Sequence, residues 1–156
     1  MRSSRHQARP SLRAAQLDKD MVGKLEAARP ALDALLEPRC IAVVGASAEP
    51  GALSGLLFGN LAASHFAGPV LPVNKKHPVV QGVAAYPDLS SCPVVPDLVI
   101  VCVPAPAVAP VVAEAGELGV KAACVISAGF AETGPAGTQQ GVAVCSEEHR
   151  AGSHGA

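Results

Sequence analysis

Aromatic side chains are scarce in this 156-residue chain: no tryptophan, one tyrosine and three phenylalanines. Yet 49% of the residues are hydrophobic, and 29 alanines and 20 valines make up most of that share. The core must therefore be built from small and β-branched side chains, which suits parallel strands buried on both faces. So much buriable surface argues against disorder. No apolar run approaches the ~20 residues a membrane helix needs, so no membrane partner is expected. Net charge is −1, which gives no reason to expect nucleic acid. The five cysteines (Cys40, Cys92, Cys102, Cys124 and Cys145) form no CxxC pair and are odd in number. Three of them sit in apolar strand-like runs, where a free thiol behaves as a small hydrophobe. This pattern implies a reducing, cytoplasmic compartment and no metal site. The first 16 residues lack both acids and the apolar stretch of a secretory signal, and they read as a disordered tail rather than a transit peptide. The length allows one domain and little room for a second, catalytic one.

Basic residues are unevenly spread. Residues 1–39 hold eight Lys and Arg, whereas residues 40–134 hold only Lys75, Lys76 and Lys121. Leu17, Met21, Leu25, Ala28, Leu32 and Leu35 recur at helical spacing. Pro30 suits the first turn of a separate short helix, which Pro38 stops. From Cys40 onward strands and helices alternate. The expected strands are 40–44, 70–73, 83–86, 97–103 and 122–126. The expected helices are 51–65 and 107–118, with Gly119 as a C-cap residue. This alternation predicts an α/β, Rossmann-like doubly wound parallel sheet in a single domain. Ligands of such sheets bind beyond the strand C-termini, near the point where strand order reverses. The residues following each strand are therefore the ones to examine.

The first such turn runs Gly45-Ala46-Ser47-Ala48-Glu49-Pro50-Gly51-Ala52-Leu53-Ser54-Gly55. A glycine-rich turn that opens a helix offers backbone N–H groups and a positive dipole end to a phosphate. The motif is neither GxGxxG, nor a P-loop, nor a nucleophile elbow, so a plain packing turn is the competing reading. After the second strand come Val73-Asn74-Lys75-Lys76-His77. An NAD site places an acid there for the ribose hydroxyls. Two lysines instead favour a nucleotide with an extra ribose phosphate, such as coenzyme A or NADP, unless they are merely solvated. Val103-Pro104-Ala105-Pro106 has no ionisable group and can only shape an apolar wall. Ser127 and Glu132 follow the last strand. Glu132 has no evident partner and reads as a surface residue. No histidine pair has metal-ligand spacing, and no nucleophile–base pair is apparent, so no catalytic residue is assigned.

Taken together these motifs resemble the NDP-forming acyl-CoA synthetases. The family includes ADP-forming acetate–CoA ligase and is related to the succinyl-CoA synthetase α subunit. The residues that carry the likeness are Leu32-Asp33-Ala34-Leu35-Leu36-Glu37-Pro38, Ile41-Ala42-Val43-Val44-Gly45-Ala46-Ser47, Val73-Asn74, Lys76 and Gln81-Gly82-Val83. Tyr86-Pro87, Val103-Pro104-Ala105, Val120-Lys121 and the run Val125–Gly134 complete it. The resemblance covers Leu32 to about Gly137. It implies a Rossmann-type CoA-binding domain in which Gly45, Ala46 and Ser47 meet the coenzyme phosphates. Asn74 and Lys76 stand at the family's Asn-Pro-Lys, with Lys75 in place of the proline. Val103, Pro104, Ile126, Ser127 and Ala128 would wall the coenzyme.

The family's further parts, a domain with a phosphorylated histidine and an ATP-grasp portion that handles ATP, ADP and magnesium, have no counterpart here. Thr138–Ala156 departs from the family pattern, and a truncated, frame-shifted or stand-alone product is expected. The expected organisation is an N-terminal extension over 1–30, a CoA-binding domain over 31–137 and a divergent tail over 138–156. The expected function is binding of CoA or acyl-CoA without ligase activity of its own. The alternatives are an NADP-binding oxidoreductase fragment, or a regulatory or assembly subunit that needs a partner with the phosphohistidine and ATP-grasp domains.

Overall fold

The structure is a computed structural model, and it describes residues 29–49, 51–128 and 134. The Leu17–Ala28 stripe, Glu132 and the tail from Thr138 lie outside these residues. Helix α1 covers 29–36 and ends before Pro38, whose ring disfavours helical geometry in the residue ahead of it. Then follow β1 (Ile41–Val44), α2 (Leu53–Ala63), β2 (Val70–Val73), β3 (Val79–Val80) and β4 (Val83–Ala84). The last elements are β5 (Leu98–Val101), a single 3-10 turn (Ala105–Ala107), α3 (Val108–Glu117) and β6 (Ala122–Val125).

The main sheet has the order β2-β1-β5-β6 and every pair in it is parallel. Ile41 stands beside both Val70 and Leu98, and Leu98 beside Ala122. The chain leaves β1 toward β2 on one side and returns through β5 on the other. The expected doubly wound α/β architecture is thus present, with its switch point between β1 and β5.

Alternation along the strands sends side chains to two cores. Ala42, Val44, Val99 and Val101 pack with Val108, Val111, Val112 and Ala115 of α3. Ile41, Val43, Leu98 and Ile100 pack with Phe58 of α2 and with Val80. Central strands β1 and β5 are buried throughout, whereas edge strand β6 is only partly covered. Large aromatic residues are unnecessary, because valine and alanine fill the narrow gaps between sheet and helices. Phe58 is the one large aromatic among the most deeply buried side chains.

The expected strand over 83–86 is corrected. Only Val83–Ala84 is a strand, and it pairs antiparallel with Val79–Val80 outside the main sheet. Gln81 and Gly82 form the two-residue turn between them. Tyr86 returns to the main sheet through a single parallel bridge to Val73. The apolar run Val83–Tyr86 is therefore divided between a hairpin and the β2 edge.

Candidate functional site

All ten sequence-predicted binding residues lie beyond the C-terminal ends of the four parallel strands. Strand order sets their sequence along that edge: Asn74 and Lys76 after β2, Gly45–Ser47 after β1, Val103 and Pro104 after β5, and Ile126–Ala128 after β6. At the usual interstrand spacing this row spans about 15 Å, the scale of a nucleotide with its phosphates.

The first loop is held closely on every side. Gly45 has φ +85°, and a Cβ there would lie 2.6 Å from the Cys102 carbonyl oxygen and 2.9 Å from Val103 Cγ1. No other residue fits the turn where the loops after β1 and β5 meet. The Gly45 N–H donates to the Val73 carbonyl at 2.9 Å, so Gly45 shapes the loop and its own amide is engaged by β2. Ala46 is fully buried. Ser47 Oγ accepts a 3.0 Å hydrogen bond from the Glu49 N–H. Gly55, in the first turn of α2, is just as constrained, because a Cβ there would overlap the Glu49 carbonyl oxygen at 2.1 Å. Helix and loop thus approach backbone to backbone.

Helix α2 begins without a side-chain cap. Ala52 occupies the N-cap position, makes no capping hydrogen bond, and no acid follows in the first turn. Such a terminus leaves the first amides of the helix without an intramolecular anion.

Asn74 ties the first loop to the second. Its Nδ2 donates to the Ala46 carbonyl at 2.8 Å. Its Oδ1 accepts from the Lys76 N–H at 2.8 Å and the His77 N–H at 3.0 Å. The side chain therefore organises the loop that carries the lysines, a role its place in the sequence does not reveal. Lys75, Lys76 and His77 are exposed. Lys75 acts on the Asp88 carboxyl, which is held below the ordinary range chiefly by hydrogen bonds from Ser91 and Ser90 and in smaller part by Lys75. Lys76 belongs to neither of the ion pairs found among the described residues.

The other two loops are plainer. Val103 is half-buried and Pro104 exposed. The Ile126 N–H donates to the Val101 carbonyl at 2.9 Å, and Ser127 Oγ reaches the same carbonyl only at 3.5 Å. Cys102 beside them has a thiol pushed up by burial and, secondarily, by Cys124, so it is a poor nucleophile. Cys40, Cys92, Cys102 and Cys124 are free thiols. No cluster of three potential metal ligands occurs among the described residues, and no described helix is long and apolar enough to cross a membrane.

Gln81, counted above in the family likeness but given no site role, is a further contributor. It stands at the tip of the β3–β4 hairpin, and its Nε2 donates to the Ser47 carbonyl at 3.2 Å and the Gly55 carbonyl at 2.8 Å. A glycine-containing two-residue turn between apolar pairs is a hairpin signal, but nothing local shows where the tip docks.

A separate open hollow lies at the opposite edge of the sheet, lined by Arg29, Asp33, Glu37, Arg39, Asp97 and Lys121 among others. Its acids and bases balance. Asp97 Oδ1 accepts from Lys121 Nζ at 3.0 Å, and Asp97 Oδ2 accepts from the Arg39 N–H at 3.1 Å. This hollow offers no surplus of positive charge to an anion.

Known proteins share much of this sequence and fold. The family model described as CoA binding domain matches residues 39–150. The α subunit of ADP-forming acetate–CoA ligase II from Pyrococcus furiosus is 43% identical over 70% of this chain, which covers 24% of that protein. A trans-feruloyl-CoA synthase from an unknown prokaryote is 36% identical over 68% of this chain and is covered over 15% of its length. The apo structure of the dinucleotide-forming acetyl-coenzyme A synthetase 1 of Ca. Korarchaeum cryptofilum superimposes with a TM-score of 0.71 at 34% identity. That superposition covers 78% of this chain and 26% of the synthetase chain. The chain thus spans about a quarter or less of each of these proteins.

Proposed function

The chain belongs to the family of CoA-binding domains, and from that membership we propose that its C-terminal sheet edge binds CoA or acyl-CoA and takes no chemical step itself. The observation that carries this reading is the pairing of two features on one edge. The uncapped start of α2, with no acid in its first turn, lies beside a second loop that bears Lys76 and no carboxylate. The Gly45–Ser47 loop and the first amides of α2 receive the diphosphate. Lys76, with His77 beside it, meets the ribose 3′-phosphate. Val103, Pro104, Ile126, Ser127 and Ala128 flank the path of the adenine or the pantetheine arm. Asn74 acts on the ligand through the loops it joins.

The same residues fit an extra ribose phosphate on NADP, but membership of a CoA-binding family and likeness to CoA ligases do not favour that alternative. The matched relatives differ in acyl group, acetate in one and ferulate in another, so acyl choice belongs to parts beyond this domain. In an acid–CoA ligase, nucleotide and phosphohistidine chemistry would come from those parts, in a longer chain or on a partner subunit. We further propose residues 31–137 as the binding domain, residues 1–30 and 138–156 as flanking segments, and the cytoplasm as the compartment.

Calorimetry on the 156-residue chain with CoA, 3′-dephospho-CoA, NADPH and NADH tests the proposal. CoA should bind most tightly and NADH not at all. Equal affinity for CoA and dephospho-CoA would remove the role given to Lys76. Binding of NADPH alone would overturn the assignment.

A further inference from the structure

Gln81 is the one non-glycine residue among those described with a positive φ, at 49°. Gly82 follows at φ 83°. Positive φ at both central positions is what a type I′ hairpin turn requires, and asparagine or aspartate is the usual first residue there. Glutamine is a poor choice for such a turn in isolation, because its longer side chain gains no local hydrogen bond in the left-handed region. Its side chain explains its presence. Both Nε2 hydrogens are used, one on the Ser47 carbonyl and one on the Gly55 carbonyl. These carbonyls belong to the loop after β1 and to the first turn of α2, the two segments whose backbones meet at Gly55. Gly59, one helical turn on, leaves the space the amide occupies: a Cβ there would lie 2.9 Å from Gln81 Oε1. On the strand behind it, Val80 is fully buried in the α2-side core, which anchors the hairpin.

We infer that Gln81 is a positioning residue, a neutral clamp that sets the angle between the glycine turn and the start of α2 and thereby the affinity of the site for the coenzyme diphosphate. The inference rests on the coenzyme-binding reading above. The Gly55 carbonyl belongs to α2 itself, where the next amide, Leu56 N–H, donates to the Ala52 carbonyl at 2.9 Å, so the bond to Gly55 anchors the Gln81 amide on the helix and the bond to Ser47 fixes the loop against it. Holding the loop there before ligand arrives removes an ordering cost from binding. The clamp acts on the diphosphate, which CoA and dephospho-CoA share, and not on the 3′-phosphate.

Gln81→Asn separates the clamp from the stability of the hairpin. It creates Asn-Gly, the favoured I′ pair, but its side chain is one methylene too short to reach either carbonyl. The melting temperature should stay at or above that of the parent chain. Affinity for CoA and for dephospho-CoA should each fall about 5-fold, as expected for loss of neutral hydrogen bonds, with their ratio unchanged. Gln81→Met, which keeps length and loses both donors, should give the same loss. If both variants bind CoA like the parent chain, the clamp is wrong while coenzyme binding stands. If the ratio changes instead, Gln81 acts at the 3′-phosphate and the inference is overturned. If the parent chain binds neither ligand, the coenzyme reading fails and the clamp fails with it.

Discussion

At the N-terminal edge of the sheet, Asp97 draws the starts of three strands together through charged partners, Arg39 ahead of β1 and Lys121 ahead of β6. At the C-terminal edge, Asn74 and Gln81 make the corresponding ties with neutral amides. At the first edge the ties are ion pairs, and the proposed reading places no anionic ligand there. At the second edge a bridging carboxylate would repel a phosphate and neutralise Lys76. Amide groups fix geometry without adding charge, so the loops are held in place while the cation remains available. One edge is held by charge, and the other by neutral groups that suit the anionic ligand proposed for it.

The strongest way to break this contrast is Gly45→Ala. The new Cβ meets the Cys102 carbonyl at a φ that L residues avoid, so unfolding free energy in urea should drop by about 3 kcal/mol and coenzyme binding should vanish. Lys76→Ala should leave stability unchanged and weaken CoA about 10-fold, the cost of a lost charge-assisted contact, while dephospho-CoA binds as before in calorimetry. Asp97→Asn tests the other edge: the melting temperature should fall by about 4 °C with CoA affinity unaltered.

Asp97 also predicts a pH effect of definite sign. The Lys121 hydrogen bond, with help from the Arg39 N–H and both cations, holds the Asp97 carboxyl below its ordinary value. A carboxyl depressed in the folded state stabilises fully above its unfolded pKa of about 3.9. That contribution is lost as pH falls further, through the folded value. Acid denaturation curves of Asp97→Asn should therefore be flatter than those of the parent below about pH 4. The smallest effect concerns Cys92, which packs against the α3-side core. Burial, with smaller contributions from Cys40, Asp88 and Glu114, raises its thiol to about 11. At pH 8 it should alkylate far more slowly in the native protein than in urea, as peptide mass mapping would read.

Much of this was legible in the residues. Apolar runs such as Ile41–Val44 and Leu98–Val101 announce strands buried on both faces, and their alternation with helical stretches announces a doubly wound sheet. The glycine turn and the lysines after β2 single out the proposed binding edge by chemistry alone. Other features were not legible, because they depend on which segments become neighbours. The Val83–Tyr86 run looks like one strand, yet its halves pair with different partners. Asn74 looks like a contact residue, yet both ends of its amide are committed to the loops. Gln81 belongs to the family likeness, but its clasp on the loop after β1 and on α2 exists only once the hairpin folds onto α2.

The sequence by itself determined the main strands and helices, the acid-free second loop and the family to which the chain belongs. These follow from side-chain volume, periodicity and charge, which are properties of residues taken in order. Only the tertiary structure decided that β6 is an edge strand, that Asp97 joins two cations, and that two neutral amides brace the glycine turn. Each of these depends on hydrogen bonds or packing between segments 24 to 58 residues apart, and the geometry of such contacts is set only once the sheet has brought those segments together.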